Sequence, residues 1–162
     1  MPAMTEYRFS TIWCIDAPID RVWNAIHDAR TWPEWWKNVE RTVELSKGDR
    51  DGIGAVHRYV WKGVLPYRVV LDMRVTRVEP MTTLEGEASG MVEGIGRWHF
   101  TPLESGTQVR YDWHVRTRRW WMNLLAPLAR PLFRWNHDAI MHEGGLALAR
   151  RLNARLVSIE QR

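Results

Sequence analysis

Residues 15–36 read IDAPIDRVWNAIHDARTWPEWW, and the punctuation of this stretch sets how the rest of the chain is read. Asp16 before Pro18 is a helix start signal, and Ile19, Val22, Trp23 and Ile26 then recur at helical intervals, which predicts a short amphipathic helix. Thr31, Pro33 and Glu34 have the order of a capping box with proline in the first turn. Trp32, Trp35 and Trp36 fall at i, i+3 and i+4, on one side of a second short helix. That is a heavy apolar load for one turn, since each indole buries roughly 150–250 Å² and carries one N–H that prefers a partner.

Upstream, Tyr7, Phe9, Thr11, Trp13 and Ile15 alternate with Arg8 and Ser10, the period of a half-buried strand. Downstream, from about residue 38 to 117, the turn segments KGDRDG, KGVLP, EPMT, SGM and ESGT divide the chain into six further strands. The last is the clearest: Val109, Tyr111, Trp113 and Val115 point one way, and Arg110, Asp112, His114 and Arg116 the other. The same alternation sends Val69, Leu71, Met73 and Val75 inward, and likewise Trp98 and Phe100. Placing Arg58 and Lys62 outward turns His57, Tyr59 and Trp61 inward. Gly86, Gly94 and Gly96, with Ala88, share the inner phase, where missing side chains leave room for a helix or a ligand.

From Trp120 onward the period changes to that of a helix, with Leu128, Leu132, Trp135, Ala139, His142, Leu146, Ala149, Leu152 and Leu156 in register. Pro127 and Pro131 predict a main helix beginning near Pro131, preceded by a shorter segment, WWMNLLAPLAR. No internal repeat, low-complexity tract or linker interrupts the chain, so residues 1–162 are read as a single domain.

Composition excludes several function classes. The chain is 45% hydrophobic and 26% charged, which argues against disorder, and no run approaches the roughly 20 apolar residues of a spanning helix. The start, MPAMTEYRFS, has neither a basic n-region nor an apolar h-region, giving the expectation of a cytoplasmic protein. The net charge is +4, but the arginines are scattered among acids and no zinc-knuckle or RNA-reading pattern accompanies them, so no nucleic-acid partner is expected. Cys14, the single cysteine, is read as a small buried hydrophobe. His137 and His142 are five apart rather than the four of a helical zinc pair, so no metal site is expected. His99 and His114 fall on the outward phase. No nucleophile elbow, phosphate-cradling loop or dinucleotide fingerprint occurs, and no cofactor is implied.

The order of elements resembles the START-like (SRPBCC, helix-grip) superfamily, which includes lipid-transfer domains, polyketide aromatase/cyclases and coenzyme Q-binding proteins. The segments that carry the resemblance are IDAPIDRVWNAIHDARTWPEWW, then GIGRWHF and GTQVRYDWHV, and they look closest to the polyketide cyclase/dehydrase-like subgroup. The resemblance implies an α+β helix-grip fold: a curved seven-stranded antiparallel sheet around a long carboxy-terminal helix, two short helices after the first strand, and an apolar cavity between sheet and helix. Such a fold is shared by carriers and enzymes.

The expected ligand is therefore a hydrophobic, ring-containing small molecule: a lipid, quinone or polyketide. Trp61, Trp98 and Trp113 supply flat walls, with Trp35, Trp36 and Trp135 from the helices. Leu71, Met73 and Phe100 add apolar surface, His57, Tyr59 and Tyr111 are the sparse polar anchors, and His142 is also expected at the ligand. His57, Tyr59 and Tyr111 are also the candidate acid–base groups of an alternative reading, a cyclase/dehydratase acting on a carbonyl compound in the same cavity. Residues 118–135 mix Arg118, Arg119, Arg130 and Arg134 with Trp120, Trp121, Leu124, Leu125 and Phe133. This composition suits transient contact with an anionic membrane; the competing reading is a packed helix approach with solvated arginines. The sequence leaves the oligomeric state open.

Overall fold

The computed structural model describes residues 5–117 and 124–162. Strand β1 (Thr5–Ile15) is followed by helix α1 (Ile19–His27), a 3₁₀ turn (Ala29–Thr31) and the one-turn helix α2 (Trp32–Trp35). Six strands succeed one another: β2 (Val39–Ser46), β3 (Val56–Lys62), β4 (Arg68–Glu79), β5 (Thr83–Gly90), β6 (Glu93–Leu103) and β7 (Gly106–Thr117). The chain closes with helix α3 (Ala126–Arg151) and strand β8 (Leu156–Gln161).

The strands form one antiparallel sheet in the order β2–β3–β4–β5–β6–β7–β1–β8. Consecutive strands pair as hairpins, and β1 then fills the place between β7 and β8, which leaves β2 and β8 as edges. Register shifts interrupt the β2–β3, β4–β5 and β1–β8 ladders, and such bulges bend a sheet. The concave face receives α3, giving the helix-grip arrangement.

The strand phases follow the alternation in the sequence. In β1, Tyr7, Phe9, Thr11, Trp13 and Ile15 are all buried. Trp98 is buried while its neighbour Arg97 pairs with Glu85 on the outer face. Outward Arg58 donates to Asp72, and Arg110 to Asp112, across or along the convex surface. His114 lies on that surface too, 3.4 Å from Glu6. Cys14 is half-buried on the outward phase of β1 rather than in the core.

The carboxy-terminal region departs from its sequence reading in three ways. First, α3 begins at Ala126 and runs through Pro131 without a break; residues 120–123 of the expected lead-in, with Trp120 and Trp121, lie outside the described residues, as do Arg118 and Arg119. Second, Leu156 is not helical. Asn153 adopts a left-handed conformation at φ 50°, and the Ala154 N–H donates to Ala149 O at 2.8 Å, a Schellman-type stop. The chain then adds β8 beside β1, so the sheet has eight strands rather than seven. Third, the face of α3 that packs on the sheet is carried by Ile140, Met141, Gly144, Gly145 and Leu148, whereas Leu128, Leu132, Trp135 and His142 point outward.

Ala149 and Leu152 of the expected row are buried, and two glycines explain the difference in the rest of the helix. A Cβ on Gly144 would lie 2.4 Å from the Trp36 ring, and one on Gly145 would lie 2.9 Å from Trp13 Nε1. The helix therefore lies directly against two indoles. Both indoles also donate to its backbone, Trp36 Nε1 to Ile140 O and Trp13 Nε1 to Met141 O, each at 3.1 Å. Trp32, also buried, donates to Ile26 O at 3.1 Å. Two of the three clustered tryptophans are thus core residues with their N–H groups satisfied. The third, Trp35, stacks on Trp36 with its Nε1 buried and unpartnered. The expected capping box is not formed: Thr31 Oγ1 instead donates to Asp28 O at 2.8 Å.

Candidate functional site: a cavity between sheet and helix

Because the glycine pair draws only the carboxy-terminal part of α3 onto the sheet, space remains under the rest of the helix. The result is a cavity of about 1130 Å³, slightly larger than the roughly 300–1,000 Å³ usual for small-molecule sites. Its walls come from the inner phase of successive strands. β3 supplies His57, Tyr59 and Trp61, and β4 supplies Val69, Leu71, Met73 and Val75. Gly86, Trp98, Tyr111 and Trp113 complete the sheet side, and Trp32, Trp36, Ile140 and Met141 form the helical side. The pairings Tyr59 with Leu71, and Trp98 with Tyr111, fix these side chains across the sheet.

The three inner glycines play different parts. Gly86 lines the cavity. A Cβ on Gly96 would lie 2.6 Å from the Tyr111 hydroxyl and 3.1 Å from the Trp113 ring, so this glycine seats those two aromatics rather than leaving volume. One on Gly94 would meet the β7 backbone at 2.1 Å, so it serves close strand packing.

Four of the residues expected at the ligand do not line the cavity. Phe100 is buried in the core edge-on to Trp23. Trp35 lies behind Trp36. Trp135 is 56% exposed and His142 is exposed, because the apolar spacing used to phase α3 marks its outer face. Trp36, Tyr59, Trp61, Leu71, Met73, Trp98, Tyr111 and Trp113 all line it, as does His57.

The polar groups are few and differ in state. Tyr59 and Tyr111 have no hydrogen-bond partner among the described residues, and neither hydroxyl is among the sealed, unpartnered atoms of the core. Both hydroxyls are therefore free to meet a ligand, and burial pushes both above the ordinary phenol range, so they stay protonated as donors. His57 Nε2 lies 3.7 Å from Glu44 Oε2. Burial lowers the His57 pKa, with Glu44 acting in the opposite direction, which favours the neutral imidazole.

Sequence reasoning missed the contributions of β1 and α3. Tyr7, Phe133, Asn136 and His137 line the far end of the cavity. His137 stacks on Phe9 at 4.4 Å between centroids, and burial depresses its pKa despite Asp138 Oδ1 at 3.6 Å. Asn136 Oδ1 accepts the Leu65 N–H at 3.2 Å, tying α3 to the β3–β4 connection. The Gly144–Gly145 pair is the signal that would have phased the helix correctly, since adjacent glycines inside a helix mark a close approach. The opposite end of the cavity opens between His27–Arg30 and the charged β2–β3 connection, Lys47 to Gly52. Among the described residues no group of three or more His, Cys, Asp or Glu is placed to hold a metal ion.

A family model described as polyketide cyclase/dehydrase and lipid transport matches residues 8–157. The chain belongs to this family. No curated protein matches it by sequence. Among solved structures it is similar to the Zhui aromatase/cyclase of a Streptomyces species, with TM-score 0.72 and 17% identity over 93% of this chain and 94% of that one. It is similar also to a START superfamily protein from Mycobacterium smegmatis, with TM-score 0.69 and 14% identity over 93% and 97% of the two chains. The di-domain aromatase/cyclase StfQ of the steffimycin biosynthetic pathway gives TM-score 0.67 and 14% identity over 91% of this chain, which spans 52% of StfQ. At these identities the likeness is one of fold. Membership of the polyketide cyclase/dehydrase and lipid transport family supports ligand binding or cyclase activity.

Proposed function

We propose that this protein is a cytoplasmic carrier or binding protein for a hydrophobic, ring-containing small molecule such as a lipid, quinone or polyketide, held between the sheet and α3. The observation that carries the reading is the pairing of a large aromatic-walled cavity with two tyrosine hydroxyls that have no hydrogen-bond partner among the described residues. Flat walls from Trp61 and Trp113 suit rings, and Tyr59 and Tyr111 would orient a carbonyl or hydroxyl by donating to it. Tryptophan-fluorescence titration with sterols, quinones, fatty acids and aromatic polyketides tests this directly. Saturable quenching by at least one class, weakened in Tyr111→Phe, is expected; no response to any class refutes it.

The His57–Glu44 pair favours a second reading, in which the cavity houses a cyclase/dehydratase. A neutral imidazole beside a carboxylate is suited to removing a proton next to a substrate carbonyl, with Tyr59 or Tyr111 donating to the carbonyl oxygen. Single replacement of His57, Tyr59 and Tyr111 separates the readings. Turnover of a carbonyl substrate lost in His57→Gln with binding retained supports the enzyme; binding lost with no turnover in the parent supports the carrier.

A further inference from the structure

Asn136 places an amide on the inner side of α3, where the helix otherwise carries apolar residues. It lies one turn before Ile140, is only 9% exposed, and lines the cavity. A buried amide is costly unless it is hydrogen-bonded, and asparagine is a poor helix former. Part of its role is visible: Oδ1 accepts the Leu65 N–H at 3.2 Å and ties α3 to the β3–β4 connection. That bond also fixes which way the amide points, because a backbone N–H is accepted by the carbonyl oxygen and not by the NH2 group.

The nitrogen side of the amide is left over. Nδ2 has no hydrogen-bond partner among the described residues, and it is not one of the sealed polar atoms. Gly63 packs against the amide so closely that a Cβ there would lie 2.1 Å from Oδ1 and 3.1 Å from Nδ2, which holds the group in place. A tie to Leu65 needs only an oxygen, so a donor fixed at the cavity wall is more than the tie requires. Around it the wall is neutral: Phe133 and Ile140 flank it along the helix, and burial favours the uncharged imidazole of His137. Tyr59 and Tyr111 are likewise without partners among the described residues, so the cavity presents free donors from both the sheet and the helix.

We infer that Asn136 is a second anchor for the ligand, donating from α3 to a neutral oxygen acceptor while Tyr59 or Tyr111 donates from the sheet to another. The matching ligand class is a flat ring compound with carbonyl oxygens on two opposite edges, rather than a hydrocarbon, a fatty acid or a compound with a single polar end. The inference rests on the ligand-binding reading and narrows it.

Equilibrium dialysis of the whole chain against anthracene, anthrone and anthraquinone tests it, since the three share one ring frame and carry no, one and two carbonyl groups. The parent should bind anthraquinone roughly three- to tenfold more tightly than anthrone. In Asn136→Asp the carboxylate still accepts the Leu65 N–H but donates nothing, so that preference should vanish while the preference for anthrone over anthracene stays. Anthraquinone held no more tightly than anthrone by the parent overturns the inference and leaves the ligand reading in place, and this comparison needs no variant to fold. A preference that survives Asn136→Asp overturns it too. So does a variant that weakens all three compounds alike, which would make Asn136 a tie between elements and nothing more. Absence of binding by all three, in a chain that takes a sterol, fatty acid or other member of the wider panel, overturns this inference alone; failure of the whole panel removes the reading beneath it.

Discussion

Two groups of aromatic residues face the same side of the sheet and are finished differently. The indole N–H groups of Trp13, Trp32 and Trp36 each donate to a backbone carbonyl, and two of those carbonyls belong to α3. Tyr59 is just as buried and Tyr111 half-buried, yet neither hydroxyl has a hydrogen-bond partner among the described residues. The satisfied N–H groups fasten the first group into the structure, whereas hydroxyls that reach the cavity without a protein partner leave the second group able to hold something else. The aromatic content of the chain thus serves two ends, one fastening the helix and one walling the space beside it.

The sharpest way to break this division is to disturb the fastening. Gly144→Val would drive side-chain atoms into the Trp36 ring, and a loss of about 3 kcal/mol or more is expected by chemical denaturation. If the variant is as stable as the parent, α3 does not lie against the indoles as described.

A smaller effect comes from the two histidines at the cavity. Burial lowers the folded-state pKa of both His57 and His137, so the unfolded chain binds their protons more readily. Stability is then complete above the unfolded value of about 6.5 and falls as pH drops below it toward the folded values, at no more than about 1.4 kcal/mol per pH unit for each group. Urea denaturation between pH 7.5 and 5, roughly spanning that window, should show the decline. His57→Gln should shallow it; a rise in stability on acidification would contradict the burial of both rings.

The smallest structural effect is expected where the handle is free. Tyr59→Phe and Tyr111→Phe each remove a hydroxyl with no partner among the described residues, so stability should change by less than about 1 kcal/mol while ligand affinity falls roughly three- to tenfold. A large stability loss with no change in affinity would move that tyrosine into the structural group.

Most of the sheet was legible because alternation is a direct consequence of the pleat: β1 and β7 place each residue on the side its spacing predicts, and with them the sheet wall of the cavity. The helix wall was not legible, because its inner face is built from Gly144 and Gly145 and gains its apolar surface from the tryptophans pressed on them. Counting hydrophobic residues therefore selected the exposed row of Leu128, Leu132 and Trp135 and assigned Trp135 and His142 to the ligand. Strand β8 was hidden for a related reason. Leu152 and Leu156 fit a helical interval, and only the left-handed Asn153 between them ends the helix. Glu44, which lies near His57 through the pairing of β2 with β3, gives no local signal, since that neighbourhood depends on a register shift in the ladder.

The central claim is that the cavity accepts an apolar ligand, and native mass spectrometry tests it most directly. Freshly purified protein, and protein incubated with sterols, quinones, fatty acids and aromatic polyketides, should show a one-to-one non-covalent complex with at least one class. Val75→Trp, which fills the cavity from its own wall, should abolish that complex while keeping the fold. Bare protein mass under every condition, or a complex that survives Val75→Trp unchanged, would contradict the account.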